Sequence, residues 1–259
     1  MPIEAPVTTA TLPVSSIASF YLSSTSRSSF TFAAKPRGYN ERACPIRAES
    51  ALTTGDPLAA LIPLFPLDVV LFPGVPLPLH IFEPRYKEMI GECLAQNRTF
   101  GVVRALEQGL AEVGCTAEIV TVVKKYADGR LDLVTEGRQR FELLSVNQDR
   151  SYLQGEVLMI EDEPGSPSLV DTARAIQLHA QLIAAAGAKQ DLSDVEYSLL
   201  SFHLAGSLPL DLDLKQQLLA LRTESARLAV LIPYLEGIIP KLHRAAKARE
   251  KAGGNGHVH

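Results

Sequence analysis

Cysteine is scarce in this sequence and scattered where it occurs. Cys44, Cys93 and Cys115 form no CxxC pair, and an odd, widely spaced set argues against a zinc knuckle or a disulfide framework. Cys93 and Cys115 read as buried, reduced thiols. No run of 18 or more apolar residues occurs, so no transmembrane helix and no membrane partner are predicted. The chain has no GxxxxGK(S/T) segment and so lacks a phosphate-cradling P-loop. The six histidines form no ligand-spaced cluster, and His257 and His259 on a terminal tail make a poor metal site. No metal and no cofactor are therefore expected. His80, Glu83 and Arg85 lie close enough to invite a proton-transfer reading. The simpler reading has Glu83 opening a helix, Arg85 pairing with a neighbour and His80 on a strand, which leaves no catalytic residue assigned.

Acidic residues are also scarce at the start. Up to Ala48 only Glu4 and Glu41 face Arg27, Lys35, Arg37, Arg42 and Arg47, and eight serines lie between Ser15 and Ser29. This Ser-rich, acid-poor, basic composition reads as an organellar transit peptide over residues 1–48. Ile46-Arg47-Ala48 resembles a chloroplast processing site. Chloroplast is preferred to mitochondrion because the leader is rich in hydroxyls and its arginines follow no amphipathic helical pattern. Residues 49–259 carry 20 basic and 27 acidic side chains, a formal net charge of −7 with His neutral. That balance disfavours a nucleic-acid partner, which needs clustered Lys and Arg.

The remaining composition is that of an ordinary globular protein, 46% hydrophobic and 21% charged over the 259 residues. After a lead-in over 49–61, the prolines of Ile62–Gly74 rule out a helix and confine any strand to short pieces or a sheet edge. Leu77–Phe82 alternates as a strand. Pro84 then opens a helix over about 84–96, with Tyr86, Met89, Ile90, Cys93 and Leu94 on its buried face. Strands follow at Thr99–Ala105, Cys115–Tyr126, a return strand from Leu131 through Phe141 and Leu143, and Tyr152–Ile160. Asp128-Gly129 signals the hairpin turn, and Gly137 a bulge or bend. Glu161–Pro167 reads as a domain boundary separating a β-domain over 62–161 from a helical bundle over 168–251, with a disordered tail over 252–259. Helices are expected over Leu169–Ala186, over 194–205 behind a Ser193/Glu196 capping box, over Leu212–Leu221 and over Thr223–Lys251. Pro233 and Pro240 predict a break or marked kink in the last of these.

Residues 63–86, PLFPLDVVLFPGVPLPLHIFEPRY, resemble the opening of the Lon protease N-terminal domain family. Further matches are Val113-Gly114-Cys115-x-Ala117-x-Ile119, Asp128-Gly129-Arg130, Glu136-Gly137-Arg138-x-Arg140-Phe141, Ser207-Leu208-Pro209-Leu210 and Lys215-Gln216-Gln217-Leu218-Leu219. They run in order over residues 62–235. The chain lacks the basic residue that bacterial members often place before the aspartate at Asp68, and its His80–Tyr86 segment looks more like the stand-alone Lon-domain proteins. The resemblance implies an α+β fold: a PUA-like β pseudo-barrel with one inserted helix, followed by a C-terminal helical bundle. It also implies a role in recognising protein substrates. No P-loop, no peptidase-like serine and lysine segments, no RING-like cysteines and no cereblon-type cysteine-bearing domain accompany it. The expectation is a stand-alone, non-catalytic module that binds unfolded or tagged polypeptides, an adaptor or regulator of an organellar protease. The alternatives are an RNA-binding PUA-like module or an unrecognised peptidase. For the binding surface, Phe65, Phe82 and Tyr86 are candidates for a peptide groove, against a plain core role. Arg138 and Arg140, read as facing one side of a strand near Lys124, Lys125 and Arg130, are candidates for a patch contacting an acidic peptide or RNA, against a solvated hairpin face.

Overall fold

The computed structural model describes residues 59–185, 192 and 195–253. The leader, nearly all of the lead-in, Ser193 and the terminal tail beyond 253 lie outside the described residues. Seven strands come first, interrupted by one helix: β1 (Ala60–Leu67), β2 (Pro76–Ile81), α1 (Pro84–Gln96), β3 (Phe100–Leu106), β4 (Gly109–Leu110), β5 (Val113–Lys125), β6 (Leu131–Asn147) and β7 (Gln154–Ile160). Four helices follow: α2 (Leu169–Ala185), α3 (Leu200–Ser207), α4 (Leu212–Ala220) and α5 (Glu224–Gly253), with a 3-10 turn at Tyr197–Leu199 before α3.

The strands close a ring. β1 pairs antiparallel with β7, β7 with β6, β6 with β5 and β5 with β3, and β3 returns to β1 in parallel. Closure leaves no ring strand at the end of a sheet, although β1 has a neighbour on only one side in each of its halves. The prolines of β1 do not shorten it, contrary to the expectation of short pieces or an edge. β1 pairs with β7 over Ala60–Pro63 and with β3 over Leu64–Leu67. Each half has one neighbour, so the missing N–H of Pro63 or Pro66 can face the unpaired side. Pro76 and Pro78 sit in β2, which pairs with β6 alone.

Gly137 and Gly74 are fixed by close approach. The Gly74 amide donates to the Gly137 carbonyl at 2.8 Å, and the Gly137 amide to the Val75 carbonyl at 3.0 Å. A Cβ on Gly137 would lie 2.1 Å from the Phe72 carbonyl oxygen. The β6 bend predicted at this glycine is thus the place where the Pro73-Gly74 turn crosses the strand, and Gly74 adopts φ +73° there.

The linker over 161–167 does not divide the core. One buried apolar cluster joins Phe65, Phe72, Tyr86 and Met89 of the β-half to Phe202, Leu218, Leu228, Leu231 and Leu235 of the helices. Phe72 and Phe202 stack across the junction with centroids 5.2 Å apart. Asp211 caps α4 by accepting from the Asp213 and Leu214 amides, and Thr223 caps α5 by accepting from the Ala226 amide.

Two helical expectations are corrected. The helix placed over 194–205 begins later, as the 3-10 turn and then α3, and the Ser193 end of the expected capping box lies outside the described residues. Of the break or marked kink expected at Pro233 or Pro240, the break does not occur: α5 is continuous through both. Both prolines lie on the exposed side of the helix. The carbonyls they orphan, those of Ala229 and Glu236, are on that side within water's reach, while Leu228, Leu231 and Leu235 anchor the opposite face.

Candidate polypeptide-binding surface

β3 pairs with β5 only as far as Ala117, and β7 pairs with β6 only from Arg140 onward. The rest of β5, the first part of β6 and β2 therefore form a three-stranded sheet projecting beyond the ring. Its inner face carries Leu79, Ile81 and Leu133, all buried. Its outer face carries a cross-strand row in which His80 opposes Asp132 and Asp132 opposes Lys124. Two residues after Lys124, just past the end of β5, lies Tyr126, next to the turn at Gly129, which has φ +82°. The predicted Asp128-Gly129 hairpin is thus present.

β5 is irregular where it leaves the ring. Its register against β6 shifts between Cys115 and Ala117, between Ile119 and Thr121, and between Val122 and Lys124. At the first shift the Thr116 hydroxyl fills the gap, donating to the Gln139 carbonyl and accepting from the Gln139 amide. At the other two, Val120 and Val123 are the extra residues, and they are 54% and 56% exposed. A bulge re-aims the side chain it adds. The sequence carries a trace of this: the doublets Ile119-Val120 and Val122-Val123 break the alternation that a regular half-buried strand shows.

The candidate residues do not come together. Phe65 and Tyr86 are core, their ring centroids 4.2 Å apart under α1, so a groove lined by both is not the arrangement found. Phe82 follows β2 and is 40% exposed. Arg138 is exposed and paired with Glu118 and Glu136. Arg140 is buried, and the expectation that it shares a solvent-facing patch with Arg138 is corrected. The register shift between Cys115 and Ala117 falls opposite the stretch of β6 between Gly137 and Arg140, breaking the alternation between the two arginines.

Arg140 belongs instead to a charged junction between ring and helices. It donates to the carbonyls of Leu219 and Leu221 at 2.7 and 2.6 Å and to the Asp162 carboxylate. Arg227, fully buried, donates to both Asp162 oxygens at 3.0 and 2.6 Å, to Glu224 at 2.8 Å and to the Ser201 hydroxyl at 2.9 Å. The Phe202 ring lies 4.2 Å from the Arg227 guanidinium and 5.5 Å from that of Arg140. Desolvation pushes the Arg140 pKa down and the Glu224 pKa up, so both charges depend on their partners to persist. Periodicity gave no sign of this assembly, since its members lie far apart in the chain.

Other groups fall where the simple readings put them. Arg85 donates to Glu83 at 2.8 Å and His80 is on a strand. Burial pushes the Cys93 thiol up to about 11 and the Cys115 thiol up to about 12, so both are protonated at neutral pH. Among the described residues no group of three or more His, Cys, Asp or Glu could hold a metal ion, and no helix is long and apolar enough to cross a membrane.

A closed five-strand ring with an outlying sheet, welded to a helical bundle through one core, defines a PUA-like pseudo-barrel domain with a helical extension. Residues 61–237 match the family described as the ATP-dependent protease La (LON) substrate-binding domain, and the chain belongs to that family. Similar solved structures include a Lon N-terminal domain protein from Xanthomonas campestris, with TM-score 0.56 and 27% identity over 68% of this chain and 98% of that one. The N-terminal domain of a Mycobacterium avium complex Lon protease shares the fold, with TM-score 0.54 and 20% identity over the same shares. Among curated relatives, Lon protease 1 of Hydrogenovibrio crunogenus is 29% identical over 65% of this chain and 23% of its own length. The Lon protease of Parabacteroides distasonis is 36% identical over 39% of this chain and 13% of its own. The chain thus spans less than a quarter of the length of these two proteases.

Proposed function

We propose that this chain is a non-catalytic module that binds unfolded or tagged polypeptides and acts as an adaptor or regulator of an organellar protease. Membership in a substrate-binding domain family carries the reading. The exposed Val120 and Val123, turned outward by bulges on a sheet beyond the ring, supply the apolar contacts that a polypeptide ligand needs. The test is fluorescence anisotropy of a labelled, carbamidomethylated and permanently unfolded protein titrated with the full chain. Saturable binding, weakened roughly tenfold by Val120→Asp with Val123→Asp, is the expected result; no binding to any unfolded protein refutes the reading.

The leader composition supports chloroplast delivery. Residues 1–48 fused to a fluorescent protein are expected to carry it into isolated chloroplasts, and uptake by mitochondria alone would overturn that assignment. A pulldown from chloroplast extract is expected to recover protease subunits together with unfolded clients. Recovery of RNA instead would favour the RNA-binding alternative.

A further inference from the structure

We propose that the hairpin end of the projecting sheet, on its outer face, docks an extended polypeptide segment that carries carboxylates beside an aromatic or large aliphatic side chain. The proposal rests on the polypeptide-binding reading and names its substrate class.

The face is organised before any ligand arrives. Tyr126 has the Lys124 ammonium 4.4 Å and the Arg130 guanidinium 4.8 Å from its ring centroid. Its hydroxyl donates to Asp132 Oδ2 at 2.7 Å, and His80 Nδ1 lies 2.5 Å from Asp132 Oδ1. The His80 ring stacks on half-exposed Phe82 with centroids 5.9 Å apart and meets Tyr126 edge-on at 6.0 Å. The turn itself is pinned from α1, where Lys87 Nζ donates to the Asp128 carbonyl at 2.9 Å. Pre-ordered aromatics with fixed partners lose little entropy when a ligand lands on them.

The charge balance selects the occupant. Both carboxylates here are already engaged, Asp132 with His80 and Tyr126, and Asp128 with Arg130. Lys124 is exposed on this outer face, and among the described residues it joins no ion pair; Lys125, opposite Leu131 in the row of Ile81, points to the other face. With Lys87, Lys124, Lys125 and Arg130 against Asp128 and Asp132, the end of the sheet carries a formal charge of +2, His neutral, on a chain whose residues 49–259 carry −7. An acidic segment is repelled by most of the surface and drawn to this point, while Phe82 offers its apolar neighbour a contact. Arg138, paired with two glutamates farther along the sheet, takes no part.

The experiment titrates the full chain against short labelled unstructured peptides. One alternates glutamate with phenylalanine, one replaces each glutamate by lysine, and a U-rich single-stranded RNA serves as the competing class. The glutamate–phenylalanine peptide is expected to bind, to weaken with added salt and to lose roughly tenfold in affinity in Lys124→Glu with Arg130→Glu. Lys124→Gln with Arg130→Gln, a milder change, is expected to lose less while keeping the wild-type melting temperature. Equal affinity for the lysine peptide, tighter binding of the RNA, or wild-type affinity in both variants overturns the proposal. In the last case continued binding of the unfolded protein leaves the polypeptide-binding reading standing, whereas a wild-type chain that binds no polypeptide defeats both.

Discussion

Replacing Asp162 by alanine would remove the one carboxylate that both junction arginines share. Arg140 and Arg227 would keep their carbonyl partners, but two buried cations would then face the single buried anion Glu224. Breaking a buried pair by deleting one partner costs about 3–5 kcal/mol, mostly from the charge left uncompensated. Asp162 is itself 30% exposed, so water can partly replace it and the lower figure applies, about 3 kcal/mol. Against a typical total of about 5–15 kcal/mol that is a large fraction. Asp162→Asn keeps an acceptor and is expected to cost about 1–2 kcal/mol. Urea unfolding followed by circular dichroism measures both. A double-mutant cycle with Arg140→Met is expected to show coupling, because the second change removes one of the stranded charges. An Asp162→Ala cost below about 1 kcal/mol, or strict additivity in the cycle, would refute the electrostatic account of the junction.

Three further outcomes follow from the same geometry. Gly137→Ala drives a Cβ to 2.1 Å from the Phe72 carbonyl and is expected to cost about 3 kcal/mol or more in urea unfolding, since backbone on both sides must shift; a loss under about 1 kcal/mol would contradict the close approach. His179, buried and 2.7 Å from the Ser207 hydroxyl, has its pKa pushed down to about 4 by desolvation. Its folded value lies below the unfolded one near 6.5, so its contribution is full above that pH and is lost as pH falls toward 4, by roughly 3 kcal/mol, and a His179→Gln variant should lose less over that range. Pro233→Ala restores a donor on the exposed side of α5 and is expected to stabilise by about 1–3 kcal/mol; a lower melting temperature would show that the helix depends on its proline.

Local pattern made much of the fold legible. The helix over 84–96 follows from Pro84 and the spacing of Tyr86, Met89, Ile90 and Cys93, all of which are buried, although Leu94 at the edge of that stripe is 40% exposed. Gly137 and Gly129 announced a bend and a turn because glycine answers to backbone geometry that a window of sequence contains. Readings that depended on distant partners fared differently. The prolines of β1 argued against a ring strand until its change of partner from β7 to β3 was visible. The alternation of Arg138 and Arg140 implied one face, but the register shift opposite them belongs to the β5–β6 pair and not to β6 alone. Asp162 looked like part of a polar linker, and its role emerges only when α5 brings Arg227 to it.

The core shared by ring and helices also sets an order of events for the growing chain. Phe65 enters early, and the side chains that share its cluster include Leu228, Leu231 and Leu235, about 170 residues later. The ring has its own interior cluster around Leu64 and Phe141, but until α5 has been made the face it shares with the helices lacks Leu228, Leu231 and Leu235, and Asp162 lacks Arg227. Contacts of such sequence separation form late and slowly. A chain of this design completes its shared core only when the last helix is available, and a shortened one leaves that apolar face exposed to aggregation.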